Sequence, residues 1–83
     1  MEHIWKKVKK TLKSNIPDHS YKMWIEPLEL YKYSEVNVVL SSPNFYSKKR
    51  VLGQYSKIIE KELIKVSGRR LRLLIETGNN KNR

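Results

Sequence analysis

The sequence predicts one compact α+β domain whose helices and strands follow the order α-α-β-β-α-β. Apolar side chains repeat at helical spacing before residue 27 and again between residues 45 and 67. They alternate with polar ones near residues 36–40 and 71–76. With only 83 residues, the chain can build a single core. The simplest packing of this order is an antiparallel hairpin plus a third strand, a small three-stranded sheet covered by helices on one face.

Two helices are predicted before the first strand. Residues 3–14 have lysines between three apolar side chains spaced four apart, the pattern of an amphipathic helix: Ile4, Val8 and Leu12. Trp5 lies one position to the side of this stripe. Asp18 follows Pro17 and can cap a short second helix, which Pro27 ends. Tyr21, Trp24 and Ile25 share one face of this second helix. Trp24 and Ile25, together with Leu28 just after the helix, are predicted to lie in the core.

A β-hairpin and a final strand are predicted on either side of a long helix. Residues 28–33 lose helical spacing, Ser34 and Glu35 can turn the chain, and residues 36–40 alternate as a half-buried strand does. Asn44 is a candidate N-cap for a helix of about six turns that ends at Gly68. Gly53 within that helix suggests close packing or a binding role. The last strand places Leu71, Leu73 and Ile75 on one face and Arg70, Arg72, Leu74 and Glu76 on the other.

Positive charge dominates the composition. The chain has 18 Lys and Arg against 8 Asp and Glu, and after residue 46 there are 11 basic residues but only three acidic ones. Such a field attracts nucleic acid, acidic proteins or anionic lipid without choosing among them. The densest groups either form solvated surfaces or follow a phosphate backbone. They are Lys48, Lys49 and Arg50 with Lys57, and separately Arg69, Arg70 and Arg72.

The sequence has no motif for catalysis or for metal binding. It lacks a P-loop, G-x-S-x-G and H-E-x-x-H, and its glycines are too far apart to cradle a phosphate. His3 and His19 are not accompanied by a carboxylate cluster, and the chain has no cysteine. We therefore expect a protein that is not an enzyme and uses no cofactor or metal. Neither a secretory signal nor an apolar run long enough to span a membrane is present, so a cytoplasmic protein without membrane contact is predicted.

Four segments, taken in order, resemble the N-terminal domain (domain I) of the bacterial chromosomal replication initiator DnaA. They are IWKKVKKTL, YKMWIEPLEL, VNVVLSSPNFYSKKRVLGQY and IEKEL. The most specific parts are W-I-x-P-L at Trp24 to Leu28, S-P-N at Ser42 to Asn44, and Tyr55 eleven residues after Asn44. The resemblance covers roughly residues 4–77, so residues 1–77 are predicted to form the domain. The polar residues 78–83 are predicted to be a tail or the start of a linker.

This resemblance implies a KH-like α-α-β-β-α-β domain that joins proteins in replication initiation. The family domain self-associates weakly through its first helix, helps recruit the replicative helicase, and receives regulators where helix 2 meets the start of helix 3. Carried over by position, the self-association residue is Trp5, and the docking residues are Ser20, Asn44 and Tyr46. Ser20 stands where an acidic residue is often found, Tyr46 where Phe is common, and Arg50 where a large aromatic is frequent.

Several residues keep two interpretations at this stage. Trp5 is either an edge of the core or an exposed anchor for a second copy. Tyr46 either packs beneath the start of its helix or meets a partner. Tyr31 and Tyr33 either border the sheet or stack unpaired bases. The alternative function is therefore a small basic protein that binds single-stranded DNA or RNA, and the chain is either one domain of a longer initiator or a free-standing relative.

Overall fold

A computed structural model describes residues 1–77, in which three helices pack on a three-stranded sheet. Helix α1 is Glu2–Asn15. Helix α2 (residues 18–25) joins the α-helical turn Asp18–Ser20 to the π-helical turn Tyr21–Ile25. Helix α3 (residues 45–67) consists of α-helical Phe45–Arg50, π-helical Val51–Tyr55 and α-helical Ser56–Ser67. The strands are β1 (Glu29–Tyr33), β2 (Asn37–Ser42) and β3 (Arg72–Thr77), which confirms the predicted order of elements. The predicted tail, residues 78–83, lies outside the described residues.

The sheet is mixed, with β2 in the centre. Strand β2 pairs antiparallel with β1 and parallel with β3, so α3 is the connection that carries the chain from β2 to β3. Leu40 lies between Leu30 and Ile75 on the face that the helices cover. A bulge between Leu30 and Lys32 interrupts the pairing of β1. The predicted hairpin and third strand are therefore confirmed.

Helix α1 turns a different stripe toward the core from the one predicted. Its buried side chains are Trp5, Val8 and Leu12, whereas Ile4 is only half-buried. Both stripes fit a period of 3.6 residues, because positions 4 and 5 are neighbours on the helix surface. The larger indole takes the buried position, where it removes more apolar area from water.

Helix α2 begins one residue earlier than predicted. Pro17 occupies the N-cap position and no side chain caps the helix, so the expectation that Asp18 is the cap is wrong. Asp18 instead lies in the first turn, where its negative charge interacts favourably with the helix dipole. Ile25 and Leu28 are fully buried as predicted, but Trp24 is only half-buried. Part of the Trp24 ring therefore faces the surface.

Helix α3 keeps one stripe of side chains buried, and its π turn limits the drift of that stripe. Its buried positions recur every four residues: Ser47, Val51, Tyr55, Ile59 and Leu63. In a straight α-helix, four residues turn through about 400°, so such a stripe would drift by about 40° at each step. The wider π turn removes this drift from the step between Val51 and Tyr55. The total drift along α3 is therefore smaller than in a helix without the π turn.

Three local features of the chain fix the ends of α3 and its link to the sheet. The side-chain oxygen of Asn44 accepts a hydrogen bond of 2.8 Å from the backbone N–H of Ser47, so the predicted N-cap is confirmed. Gly68 ends the helix with φ 74°, which confirms the predicted C-cap. The Glu60 carboxylate accepts a hydrogen bond of 3.0 Å from the N–H of Leu73 on β3, which is one of the two edge strands.

Lys9 connects α1 to the turn that follows α2. Its ammonium donates hydrogen bonds of 2.8 Å to the backbone oxygen of Glu26 and of 3.1 Å to that of Leu28. Burial lowers the pKa of Lys9 below its ordinary value, and the charges of Glu26 and Glu29 partly oppose this change. Lys9 is thus a structural lysine, in contrast to its exposed neighbours on α1.

Candidate functional site

Three side chains form a cluster where α2 meets the start of α3. The ring centroids of Trp24 and Tyr46 are 5.7 Å apart with their planes inclined at 56°. The guanidinium carbon of Arg50 lies 4.9 Å from the Trp24 ring centroid, within the range of a cation–π contact. Trp24 also packs against the buried core. We call these three residues the Trp24 cluster.

The start of α3 positions two members of this cluster. Asn44 caps the helix, and the Ser42 hydroxyl donates a hydrogen bond of 3.0 Å to the backbone oxygen of Asn44. Tyr46 and Arg50 are four residues apart in the α-helical part, so they share a helix face. Gln54 accepts a further hydrogen bond of 3.2 Å from Arg50. The capped first turn therefore holds the ring and the guanidinium next to α2.

A shallow pocket of about 350 Å³ lies beside the cluster. Among residues 1–77, its lining consists of Tyr46, Lys49, Arg50, Gly53 and Gln54, none of which is acidic. A Cβ atom at Gly53 would meet no other atom of the described residues within 4 Å, so of the two predicted roles of this glycine, close packing is wrong. Tyr46 is 64% exposed. The surface thus combines aromatic area with positive charge.

Trp5 lies in the core, with only 6% of its surface exposed. Of the two interpretations of Trp5, the core position is therefore confirmed and the exposed indole is wrong, because the helix turns this side chain toward the core. Lys9 further covers it, with its ammonium 5.7 Å from the ring centroid. The side chains that α1 presents to solvent are instead mainly basic and surround a recess: His3, Lys6, Lys7 and Lys10.

The predicted docking residues lie next to the Trp24 cluster or within it. Ser20 is half-buried and precedes Trp24 by one turn of α2. Asn44 is exposed and stands two residues before Tyr46. The high exposure of Tyr46 rules out the interpretation that its ring packs beneath the helix. Sequence reasoning missed the partnership of Trp24 and Arg50, although the four-residue spacing of Tyr46, Arg50 and Gln54 indicates a shared surface.

The predicted nucleic-acid residues are divided between two recesses of residues 1–77 or lie outside both. Lys49 and Arg50 line the pocket beside Tyr46, whereas Arg70 and Arg72 line another recess, which also includes the Glu60 carboxylate. Lys57 and Arg69 are exposed and line neither of these recesses, and Lys48 is half-buried. Lys48 and Arg50 are two residues apart on α3, so their side chains point about 200° apart around the helix.

The two tyrosines of β1 lie at the edge of the sheet opposite β3. Tyr31 and Tyr33 are each more than half exposed, and the ammonium of Lys32 lies 5.7 Å from the Tyr31 ring centroid. Within residues 1–77, no three His, Cys, Asp or Glu side chains are grouped closely enough to hold a metal ion. No helix in the same range is long and apolar enough to cross a membrane.

The fold defines the class of protein: a small α+β domain with three helices on a mixed three-stranded sheet, and an aromatic, cationic surface where α2 meets α3. Comparison with protein families narrows this class. The family model of the DnaA N-terminal domain matches residues 2–65, and the chain belongs to this family. The resemblance found in the sequence is thereby confirmed.

Relatives of this chain include chromosomal replication initiator proteins DnaA from several bacteria. The protein from Desulfatibacillum aliphaticivorans is 36% identical over 78 residues, covering 94% of this chain and 17% of the relative. The protein from Caldanaerobacter subterraneus subsp. tengcongensis is 29% identical over 72 residues, covering 87% of this chain and 16% of the relative. That from Geobacter sp. (strain M21) is 26% identical over 81 residues, covering 98% and 18%. The chain thus spans less than a fifth of the length of these relatives.

Proposed function

We propose that this chain is a protein-docking domain of bacterial chromosomal replication initiation, and that its partners bind where α2 meets α3. Membership of the DnaA N-terminal domain family supports a role in replication initiation, since the relatives are named chromosomal replication initiators. The observation that carries the docking surface is the ring of Tyr46, which is 64% exposed yet held 5.7 Å from Trp24. Exposed aromatic residues with a fixed geometry make strong anchors, because little side-chain freedom is lost on binding.

The proposed partners are the replicative helicase and regulators of initiation. Ser20, Asn44 and Tyr46 are the proposed contacts, since they lie on the two helices that build the Trp24 cluster. No catalytic step is proposed for the domain. A cytoplasmic location forms part of the proposal, since the chromosome is replicated there.

Weak self-association through α1 forms a further part of the proposal. A two-fold contact brings the same surface of both copies together. On α1 that surface is largely basic, with Lys6, Lys7 and Lys10 exposed beside His3. Like charges oppose such a contact, and the buried Trp5 contributes little area to it. Any dimer through α1 is therefore expected to be weak.

The test of the docking proposal is a pull-down of the replicative helicase encoded by the same genome, carried out with nuclease present. Tyr46→Ala should lower helicase binding at least about tenfold, because it removes the anchor. Tyr33→Ala is the matched control, since it also removes an exposed tyrosine but from β1. Helicase binding that is equal for wild type and Tyr46→Ala would refute docking at this surface.

A second candidate function is the binding of single-stranded nucleic acid. It is favoured by the combination of Lys49 and Arg50 with the exposed ring of Tyr46, since cations and stacking rings together bind unpaired strands. Fluorescence anisotropy of a labelled single-stranded oligonucleotide at about 50 and 200 mM salt tests it, because multi-phosphate binding weakens steeply over that range. Micromolar binding that survives the higher salt and needs Lys48, Lys49 and Arg50 would favour this function.

A further inference from the structure

We infer that the pocket beside Tyr46 binds an acidic side chain of a partner, within a peptide segment that also carries an apolar residue. This inference rests on the proposed docking function and adds the chemical class of the partner to it. Arg50 and Lys49 would bind the carboxylate, and the exposed ring of Tyr46 would cover the apolar neighbour.

The charge of the pocket favours a carboxylate. Lys49 and Arg50 both line it, and no Asp or Glu of residues 1–77 lines it. A guanidinium has five N–H donors, and the hydrogen bond of Arg50 to Gln54 uses one of them. The other donors can form paired hydrogen bonds to a carboxylate, which are among the strongest in proteins. The pocket volume of about 350 Å³ also suits one side chain better than a large ligand.

Arg50 is held in place before a partner arrives. Its guanidinium rests 4.9 Å from the Trp24 ring centroid, and Gln54 accepts its hydrogen bond one turn further along α3. Trp24 in turn packs against the core. A held guanidinium loses less side-chain freedom on binding than a free one, so more of the interaction energy appears as affinity. This arrangement distinguishes Arg50 from the other exposed cations of α3.

The distribution of the remaining cations favours a peptide over a nucleic-acid strand. A strand presents phosphates at regular intervals and therefore needs a continuous basic groove. Lys57 and Arg69 line neither the pocket beside Tyr46 nor the recess that holds Arg70 and Arg72, and that recess also contains Glu60. A carboxylate in that position repels phosphate. One acidic side chain next to an apolar residue matches the local pairing of charge and ring at Tyr46.

The experiment selects peptides from a random ten-residue phage library on the wild-type domain. A parallel selection uses Arg50→Gln, and the control is Lys65→Gln, which also removes one exposed positive charge but near the far end of α3. We expect wild type and Lys65→Gln to enrich peptides with Asp or Glu beside Phe, Leu or Trp. Arg50→Gln should not enrich them. The best synthetic peptide should bind Arg50→Gln at least about tenfold more weakly, corresponding to about 1.4 kcal/mol.

The remaining outcomes separate this inference from the docking proposal. Selected peptides that lack acidic residues but need Tyr46 for binding would support the docking surface. They would overturn the inference that the pocket binds an acidic side chain. Equal loss of binding in Lys65→Gln and Arg50→Gln would overturn it too, since only overall charge would then matter. A ten-nucleotide oligo(dT) that binds more tightly than any selected peptide, with the same dependence on Arg50, would assign the pocket to nucleic acid. If no peptide that depends on Tyr46 is recovered, both the inference and the docking surface fail.

Discussion

The exposed face of α1 and the surface where α2 meets α3 are both positively charged, but they differ in the position of their aromatic rings. On α1, Trp5 is turned into the core and solvent meets a group of basic side chains. Between α2 and α3, Tyr46 is exposed and Trp24 is half-buried beside Arg50. One surface therefore offers charge alone, whereas the other offers charge and a held aromatic anchor.

The two surfaces should therefore contribute differently to the binding of a partner. Exposed charges raise the rate of encounter and are screened by salt, but each contributes little to a specific complex. Aromatic residues at the centre of an interface contribute much more. We therefore expect α1 to matter mainly for stability and the Trp24 cluster mainly for binding. Each prediction below tests one side of that contrast.

The largest expected effect is loss of stability in Trp5→Ala. Truncating a buried Trp lowers the free energy of unfolding by about 3–5 kcal/mol, a large part of the total for a domain of this size. Tyr46→Ala, at an exposed position, should change it by no more than about 0.5 kcal/mol. Urea denaturation followed by circular dichroism measures both values. A stable Trp5→Ala that loses only self-association would show that the indole is a contact between copies.

The second effect concerns the ring of Tyr46 rather than its hydroxyl. Tyr46→Phe keeps the ring next to Trp24, so helicase binding should remain within about threefold of wild type. Tyr46→Ala should lose about 2 kcal/mol of binding, roughly thirtyfold. Lys7→Ala on α1 serves as the control and should have little effect. Isothermal titration calorimetry separates these cases, and equal losses in Tyr46→Phe and Tyr46→Ala would point to the hydroxyl instead.

The third prediction concerns the N-cap that orients the docking surface. Asn44→Ala removes the hydrogen bond to Ser47 and should lower the free energy of unfolding by about 1 kcal/mol. For a domain of this size, the melting temperature should fall by about 4–8 °C. Asn15→Ala, at the exposed last residue of α1, is the matched control and should change it less. A thermal melt of Asn44→Ala that overlays wild type would mean that the cap does not stabilise α3.

The fourth prediction contrasts the two surfaces by their response to salt. Higher ionic strength screens the repulsion between lysines of two α1 helices, so self-association should strengthen a few-fold between about 50 and 500 mM salt. Binding of an acidic peptide at Arg50 should weaken over the same range. Analytical ultracentrifugation measures the first effect and fluorescence anisotropy the second. Self-association that weakens with salt would mean that opposite charges, not like ones, meet in the dimer.

The smallest expected effect is the pH dependence that Lys9 gives to the free energy of unfolding of the domain. Its pKa in the folded chain is lower than the ordinary 10.5, so the unfolded chain keeps this proton to a higher pH. The free energy of unfolding of wild type should therefore rise, relative to Lys9→Met, as the pH increases from the folded-state pKa toward 10.5. Urea denaturation across this interval measures the difference. Lys6→Met, at an exposed position, provides the control and should follow wild type.

The fold was predictable from sequence wherever side-chain period and end signals agreed. Asn44 and Gly68 marked both ends of α3, and the alternation of Leu71, Leu73 and Ile75 marked β3. The phase of α1 was not predictable, because neighbouring positions 4 and 5 satisfy the same period. The π turns were missed for a related reason. A four-residue repeat is compatible with either a drifting α-helix or a helix with a wider turn.

The candidate site was predictable only in part. A resemblance to the family located Asn44 and Tyr46 on one surface, but nothing local indicated that Arg50 contacts Trp24, more than twenty positions earlier in the chain. That contact depends on how the hairpin returns the chain to α2. The sequence separated Lys49 and Arg50 from Arg70 and Arg72 as the recesses do, but it also grouped Lys57 with the first pair and Arg69 with the second, and neither lines the recess of its group.

The π turn of α3 also lets this helix gain or lose one residue without changing which face meets the core. A π turn spreads one helical turn over more residues than the roughly 3.6 of an α-helix. Deleting Gly53 would convert Val51–Tyr55 to regular α-helix, and residues 45–50 would keep nearly the same rotation relative to residues 56–67. Tyr46 and Arg50 would then stay beside Trp24, and Ile59 and Leu63 would stay against the core. The helix can thus take up a difference of one residue in chain length at this turn without moving the docking surface.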